Sequence, residues 1–285
     1  MYGIRVKKQL KKRRKNMKKI IATVLAAVAA CTTFCFASCG GKKDEAKTLH
    51  VYTNAGFAPY EYVNEMGDVV GVDIDIMNYI GKELGYNVII NDIEFNQILV
   101  EVGENELAVG AAGMTKKKER DDIALASTSY ATSVQYVIVP TGSFGADDLV
   151  DGKLPLSKLT ELDKKAVGVQ TGTTGEFMVD DALLEGQALS GCNFGKFTYS
   201  NAIIASQDIG TTLGAVIIDK LPAQSIANAN SALECFELDA EPESYVLYFN
   251  KNATDLVAQV NTILESMIKS GKIDEFTLNH SGANK

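Results

Sequence analysis

The chain has 285 residues, 46% of them hydrophobic, and a formal net charge of −8, enough apolar material to build a core in one large or two smaller domains. The charge is uneven: residues 1–38 hold ten Lys/Arg and no acid, so the body beyond them is strongly acidic. That argues against nucleic acid as a partner, because neutralising phosphates needs a basic face, and the lack of a repeat at a period of 20–50 residues excludes a solenoid.

A basic run from Arg5 to Lys19 precedes an apolar stretch from Ile20 to Phe36. The stretch is short of the roughly 20 apolar residues of a spanning helix, and basic-then-apolar order is that of a signal peptide. Met17-Lys18-Lys19 offers an alternative start. The segment Phe36-Ala37-Ser38-Cys39-Gly40-Gly41 is similar to the bacterial lipoprotein cleavage box, in which the cysteine becomes the lipidated N-terminus. Val28-Ala29-Ala30-Cys31 also fits, but the polar tether starts only after Cys39. The expectation is a signal peptide over residues 1–38, then lipidated Cys39 and a tether through residue 47, holding a secreted protein on the outer face of the cell membrane. After processing at Cys39, Cys192 and Cys235 remain, and a disulfide between them is open in an oxidising compartment. His50 and His280 are the only histidines and neither stands beside a carboxylate motif. No metal site, His-based catalysis or cofactor is expected.

From Leu49 onward strand and helix patterns alternate. Leu49–Thr53 reads as a strand ending in the turn Asn54-Ala55-Gly56. Ile76, Met77, Ile80 and Leu84 have helical spacing, stopped by Gly85, with Asp73 and Asp75 placed to cap that helix. A strand over Val88–Ile93, a short helix over Ile98–Val102 and a buried strand over Leu107–Ala111 follow, leading into Gly113-Met114-Thr115. A second unit repeats the pattern. Ala166–Gln170 is a strand, Gly172-Thr173-Thr174-Gly175 opens a helix to about Leu184, and Ser200 can cap a helix from Asn201 to Leu213. Ala215–Ile218 is a strand with a helix after Asp219, and Thr254–Ser270 is a helix stopped by Gly271. Such alternation predicts parallel sheets with helices on both faces, here in two lobes. Ser129–Val134 and Glu241–Tyr245 are the expected crossings between them. The expected division is residues 48–130 with 246–285 as lobe 1 and 131–245 as lobe 2.

Open α/β sheets bind ligands beyond the carboxyl ends of their strands. Asn54, Phe57, Gly113, Thr115, Thr171 to Gly175 and Asp219 all fall at such ends. Arg120 offers a planar fork for a carboxylate. The Gly172-Thr173-Thr174 turn offers backbone N–H groups and hydroxyls to the same anion, and Asp219 a counter-charge for an ammonium. Each has a plainer reading: Arg120 as part of a solvated charged run, Thr173, Thr174 and Asp219 as helix caps, Phe57 and Phe95 as core.

A resemblance decides among these. Asn54-Ala55-Gly56-Phe57-Ala58-Pro59-Tyr60-Glu61-Tyr62 with Gly71-Val72-Asp73-Ile74-Asp75 resembles the opening of the family 3 extracellular solute-binding proteins, the polar amino-acid receptors of ABC importers. The likeness runs on through Ala112-Gly113-Met114-Thr115, Glu119-Arg120, Ser127 to Tyr130, Val167 to Gly175 and Val216-Ile217-Ile218-Asp219. It implies a two-lobed α/β periplasmic-binding-protein-like fold of type II, with two hinge crossings and a ligand cleft between the lobes. It implies that Arg120 and Thr174 grip the α-carboxylate, with Thr115, Thr173 and the Gly113 backbone close by. Asp219 would take the α-ammonium, Gly113 lying on that side as well. Asn54, Phe57, Phe95, Gln170 and Ile218 would surround the ligand side chain. Lys117 stands where a hydroxyl residue is common and Ala126 where Phe is usual. Asn54 replaces an acid often carried by members that bind cationic amino acids, which points to a neutral, polar or modestly apolar ligand side chain. The implied partners are a free amino acid and the transmembrane permease subunits of an ABC importer, with the protein a monomer on its lipid anchor. Two rivals stay open: a receptor serving a sensor, and a dehydratase of prephenate-like acids on the same scaffold with Glu176 as its acid.

Overall fold

Two five-stranded sheets carry the structure, a computed structural model that describes residues 47–190 and 194–282. In chain order the first part contains β1 (Thr48–Thr53), the hairpin β2 (Tyr62–Val63) and β3 (Val69–Val70), α1 (Val72–Leu84) and β4 (Asn87–Asp92). A 3-10 turn, Phe95–Gln97, runs into α2 (Ile98–Glu104), then β5 (Ala108–Gly110), α3 (Lys118–Asp121) and β6 (Leu125–Ala126). The second part contains β7 (Ala131–Ser133), β8 (Gln135–Pro140), β9 (Ala166–Gln170), α4 (Thr174–Leu183), β10 (Gly195–Tyr199) and α5 (Ala202–Ser206). It continues with β11 (Ala215–Asp219), α6 (Lys220–Ala229) and β12 (Leu233–Glu237). The chain returns through β13 (Glu243–Tyr245) to β14 (Tyr248–Phe249), α7 (Thr254–Ser270) and α8 (Lys272–His280).

The strand order is β4-β1-β5-β14-β6 in one sheet and β10-β9-β11-β8-β12 in the other. Sheets of this kind, flanked by helices and joined twice, make the two-lobed type II fold. Both sheets are mixed rather than purely parallel. β14 runs antiparallel to β5 and β6, and β8 antiparallel to β11 and β12. The cause is the double crossing: each strand that comes straight from the other lobe enters its sheet against the local direction. At the crossing, β7 and β13 pair with each other, Glu243 opposite Ser133 and Tyr245 opposite Ala131. The central strands β9 and β11 are buried along their whole length, as apolar runs covered by helices on both faces should be.

Several local expectations change. Asp73 and Asp75 do not cap α1. Gly71 is the N-cap, Asp73 points into the core, and Asp75 accepts a bond from His280 Nε2 at 2.9 Å. His280 Nδ1 also meets the Tyr62 hydroxyl at 3.1 Å, so this histidine docks the last helix onto the first despite their separation in sequence. Asn201, not Ser200, caps α5, its side chain accepting from the Ile204 N–H at 3.0 Å. That helix stops at Ser206, and beyond it the Asp208 carbonyl accepts from the N–H groups of Thr211, Thr212 and Leu213 in a turn through Gly210, where φ is +84°. The helix over Thr254–Ser270 ends as expected, at Gly271 in the left-handed region. The signal segment, Cys31, Cys39 and the tether through residue 46 lie outside the described residues, as does Cys192. Cys235 sits half-buried on β12.

Gly71 has φ +140°, and a Cβ built there would lie 2.1 Å from the Tyr60 carbonyl oxygen. Backbone cannot yield as a flexible side chain can, so Gly71→Ala is expected to lower stability by about 2–3 kcal/mol in urea titration.

Candidate functional site

Four strand ends converge between the lobes. The loops after β1 and β5 come from one lobe, the turn after β9 and the end of β11 from the other, and together they line a cavity with about 20 Å³ of free space. It is lined by Asn54, Phe57, Glu61, Phe95, Ala112, Gly113, Thr115, Arg120, Gln170, Thr173, Thr174 and Asp219. That is room for about one water molecule.

Arg120 lies on α3 and is only 7% exposed. Nη1 donates to the Thr115 carbonyl at 2.9 Å and Nη2 to the Gly172 carbonyl at 3.0 Å, one from each lobe. Its guanidinium carbon stands 5.3 Å from the centre of the Phe95 ring, within cation–π range. These contacts fix the fork while leaving further N–H groups for an anion. Thr115 and Thr174 both donate their hydroxyls to Glu243 Oε2, Thr174 at 2.8 Å. Thr173 is the N-cap of α4: it accepts from the Glu176 N–H at 3.3 Å and donates to the Gln170 carbonyl at 2.7 Å.

Asp219 immediately precedes α6 but does not cap it with its side chain. Its carboxylate turns into the cleft instead, accepting from the Tyr245 hydroxyl at 2.7 Å and Gln135 Nε2 at 3.2 Å. Burial and then the charge of Glu243 push its pKa up to about 7. Asp73 accepts from the Gly113 N–H at 2.9 Å and the Tyr130 hydroxyl at 2.7 Å, and burial raises it to about 6 against those bonds. Gly113 itself has φ +52°, and a Cβ there would meet Phe57 Cε1 at 2.6 Å. Across the cleft, Gln170 Nε2 donates to Asn54 Oδ1 at 2.8 Å while Asn54 Nδ2 reaches the Ile93 carbonyl.

Ten residues singled out in the sequence therefore meet at one cavity: Arg120, Thr115, Thr173, Thr174, Asp219, Gly113, Asn54, Phe57, Phe95 and Gln170. Ile218 does not line it. On a strand successive side chains alternate faces, so when Asp219 faces the cleft its neighbour turns into the hydrophobic core. Glu176 does not line it either; it accepts from the Gly172 N–H at 2.7 Å and forms an ion pair with Lys196 at 3.0 Å.

Two acids were missed. Glu61 is 1% exposed and lines the cavity, with no hydrogen-bond partner for Oε2 among the described residues. Burial first, then the charges of Asp73, Asp219 and Asp92, hold its carboxyl well above the usual range. The sequence signal was the alternation Tyr60-Glu61-Tyr62 in a tight turn, which does not say which side faces inward. In the sequence Glu243 reads only as part of a crossing.

The chain belongs to the bacterial extracellular solute-binding proteins, family 3, whose model matches residues 49–282. It is 28% identical over 245 residues to the arginine-binding extracellular protein ArtP of Bacillus subtilis, covering 84% of this chain and 88% of that protein. A probable histidine-binding protein of Neisseria gonorrhoeae is also 28% identical, over 250 residues, with the same coverage. Among solved structures, an ancestral arginine-binding protein bound to glutamine superposes with a TM-score of 0.70 at 27% identity, covering 82% of this chain and 97% of that one.

Asp73 and Asp219 have pKa values raised in the folded protein, from 3.8 to about 6 and about 7. A raised carboxyl binds its proton more tightly when folded, so its contribution to stability is complete below pH 3.8 and is lost as pH rises through the folded value. Asp219→Asn is expected to flatten the fall in melting temperature between about pH 4 and pH 7 relative to wild type, followed by scanning calorimetry.

Proposed function

We propose that this protein is the extracytoplasmic substrate-binding lipoprotein of an ABC importer, and that its cleft closes on one free amino acid. The carrying observation is the pair of opposite charges, Arg120 and Asp219, each 7% exposed and both lining one cavity between the lobes. A zwitterion matches such a pair. In this reading Arg120, with the hydroxyls of Thr115 and Thr174 and the turn at Thr173, receives the α-carboxylate. Asp219 receives the α-ammonium on the side of Gly113. Hydrogen bonds to charged groups contribute about 1.5–3 kcal/mol each, so four or five, less ordering costs, reach the roughly −8 kcal/mol of a micromolar complex.

Residues 48–130 with 246–285, and residues 131–245, move as two bodies about the strands near β7 and β13. The closed form, in which water is excluded and each charged contact strengthened, is what the permease subunits recognise. The signal peptide over residues 1–38 and lipidation at Cys39 place a monomeric receptor on the outer membrane face. The fold serves capture rather than turnover here: the acid that a dehydratase would need in Glu176 is engaged with Lys196 outside the cavity.

The side-chain end of the cavity carries the Asn54–Gln170 amide pair, which supports a neutral polar amino acid. A second reading, a cationic amino acid, is favoured by Glu61, which lines the same cavity and whose Oε2 has no hydrogen-bond partner among the described residues. It is in keeping with the arginine- and histidine-binding relatives.

Arg120→Ala is expected to weaken amino-acid binding by at least about 100-fold in titration calorimetry, since it leaves a carboxylate unpaired in a closed cleft. Unchanged affinity would refute the site. A thermal-shift panel of glutamine, asparagine and cystine against arginine, lysine and histidine separates the two readings, because bound ligand stabilises only the folded state. Glu61→Gln should spare neutral ligands and abolish any shift by cationic ones.

A further inference from the structure

Glu243 belongs to neither lobe's ligand loops. It sits on the crossing strand β13, opposite Ser133 of β7. Its backbone is held against the first lobe: Lys116 N donates to the Ser244 carbonyl at 2.8 Å, and Thr115 bridges to Tyr245. From there its side chain reaches both sides of the cleft. Oε2 accepts the hydroxyls of Thr115 in the first lobe and Thr174 in the second, and Oε1 accepts from Gln135 Nε2 at 3.0 Å. Gln135 Nε2 in turn lies 3.2 Å from Asp219 Oδ2. A carboxylate of the chain itself thus holds the two hydroxyls that, on the amino-acid reading, an incoming α-carboxylate would use.

We infer that Glu243 is an internal carboxylate that braces the two lobes together through Thr115 and Thr174 and competes with the ligand's carboxylate for those hydroxyls. Two like charges cannot share one pair of donors without repulsion, so binding requires Glu243 to move. The room exists. Beyond Thr115 and Thr174 lies an open groove of about 440 Å³, lined by Lys116, Lys117, Phe177, Glu241 and Glu243. A rotation about the Glu243 side chain would carry its carboxylate out of the cleft toward those lysines with no change in the β7–β13 pairing. The brace sets the cost of opening without ligand, and its release makes closure depend on what occupies the cleft.

The competition half rests on the amino-acid reading; the brace half does not, and the two are measured separately. In the full chain without added amino acid, Glu243→Ala is expected to speed amide hydrogen exchange several-fold over residues 112–117 and 171–176. Glu243→Gln keeps the shape, drops the charge and should give a smaller rise. With L-glutamine and L-arginine as probes, both variants should bind whichever ligand wild type binds about ten-fold more tightly. Glu265→Ala, exposed on α7 away from the cleft, should alter neither quantity. Unchanged exchange in both Glu243 variants overturns the brace. Unchanged or weaker affinity overturns the competition, and a loss would make Glu243 a ligand contact instead. If neither variant nor wild type binds any amino acid, the receptor reading fails and takes the competition with it, while faster exchange still supports the brace.

Discussion

One buried carboxylate organises the cleft from below. Asp73, on the first turn of α1 and without solvent exposure, collects the Gly113 N–H and the Tyr130 hydroxyl. Those two partners come from the loop after β5 and from the approach to the hinge. A charge buried without partners would cost several kcal/mol, so the helix, the loop and the hinge entry must keep their mutual positions. Thr115 follows in the same loop and presents its carbonyl to Arg120. The guanidinium that lines the cavity is therefore placed by a chain of contacts that starts at an acid outside that lining.

Above that foundation the cleft is rich in acid and poor in base. Glu61 and Asp219 in its lining, like Asp73 beneath it, are pushed toward their neutral forms, chiefly by burial. Arg120 is the single cation among the cavity-lining residues. Such a cavity carries an electrostatic demand that a cation placed beside these acids would relieve by restoring a charged form, and the demand comes from desolvation, not from any one residue type.

The hinge does more than join the lobes. Tyr245 on β13 donates to Asp219 in the second lobe, and its ring packs against Phe57, Tyr60 and Tyr130 in and near the first. The crossing strand thus reads the position of both lobes through one side chain, and Glu243, two residues before it, touches both as well. This places the hinge at the wall of the site, where a change in occupancy and a change in lobe angle are felt by the same few atoms.

The alternation of strands and helices through β1, α1, β4, α2 and β5 and again through β9, α4 and β11, the loops at those strand ends and the helix Thr254–Ser270 are legible in the sequence, and the meeting of Arg120, Thr174 and Asp219 is legible through the family resemblance. They are local in kind: periodicity, capping chemistry, and short motifs at strand ends mark them wherever the rest of the chain lies. Tertiary structure alone decided the rest. It turned Asp73 inward rather than onto its own helix end, and paired His280 with Asp75 across the chain. It put Ile218 in the core because Asp219 took the cleft side of β11. It brought Glu61 and Glu243 to the ligand cavity and its rim, where no motif marked them. The reason is common to all of these: what a polar side chain does once buried depends on partners far away in sequence, and only the closed packing of two lobes supplies them.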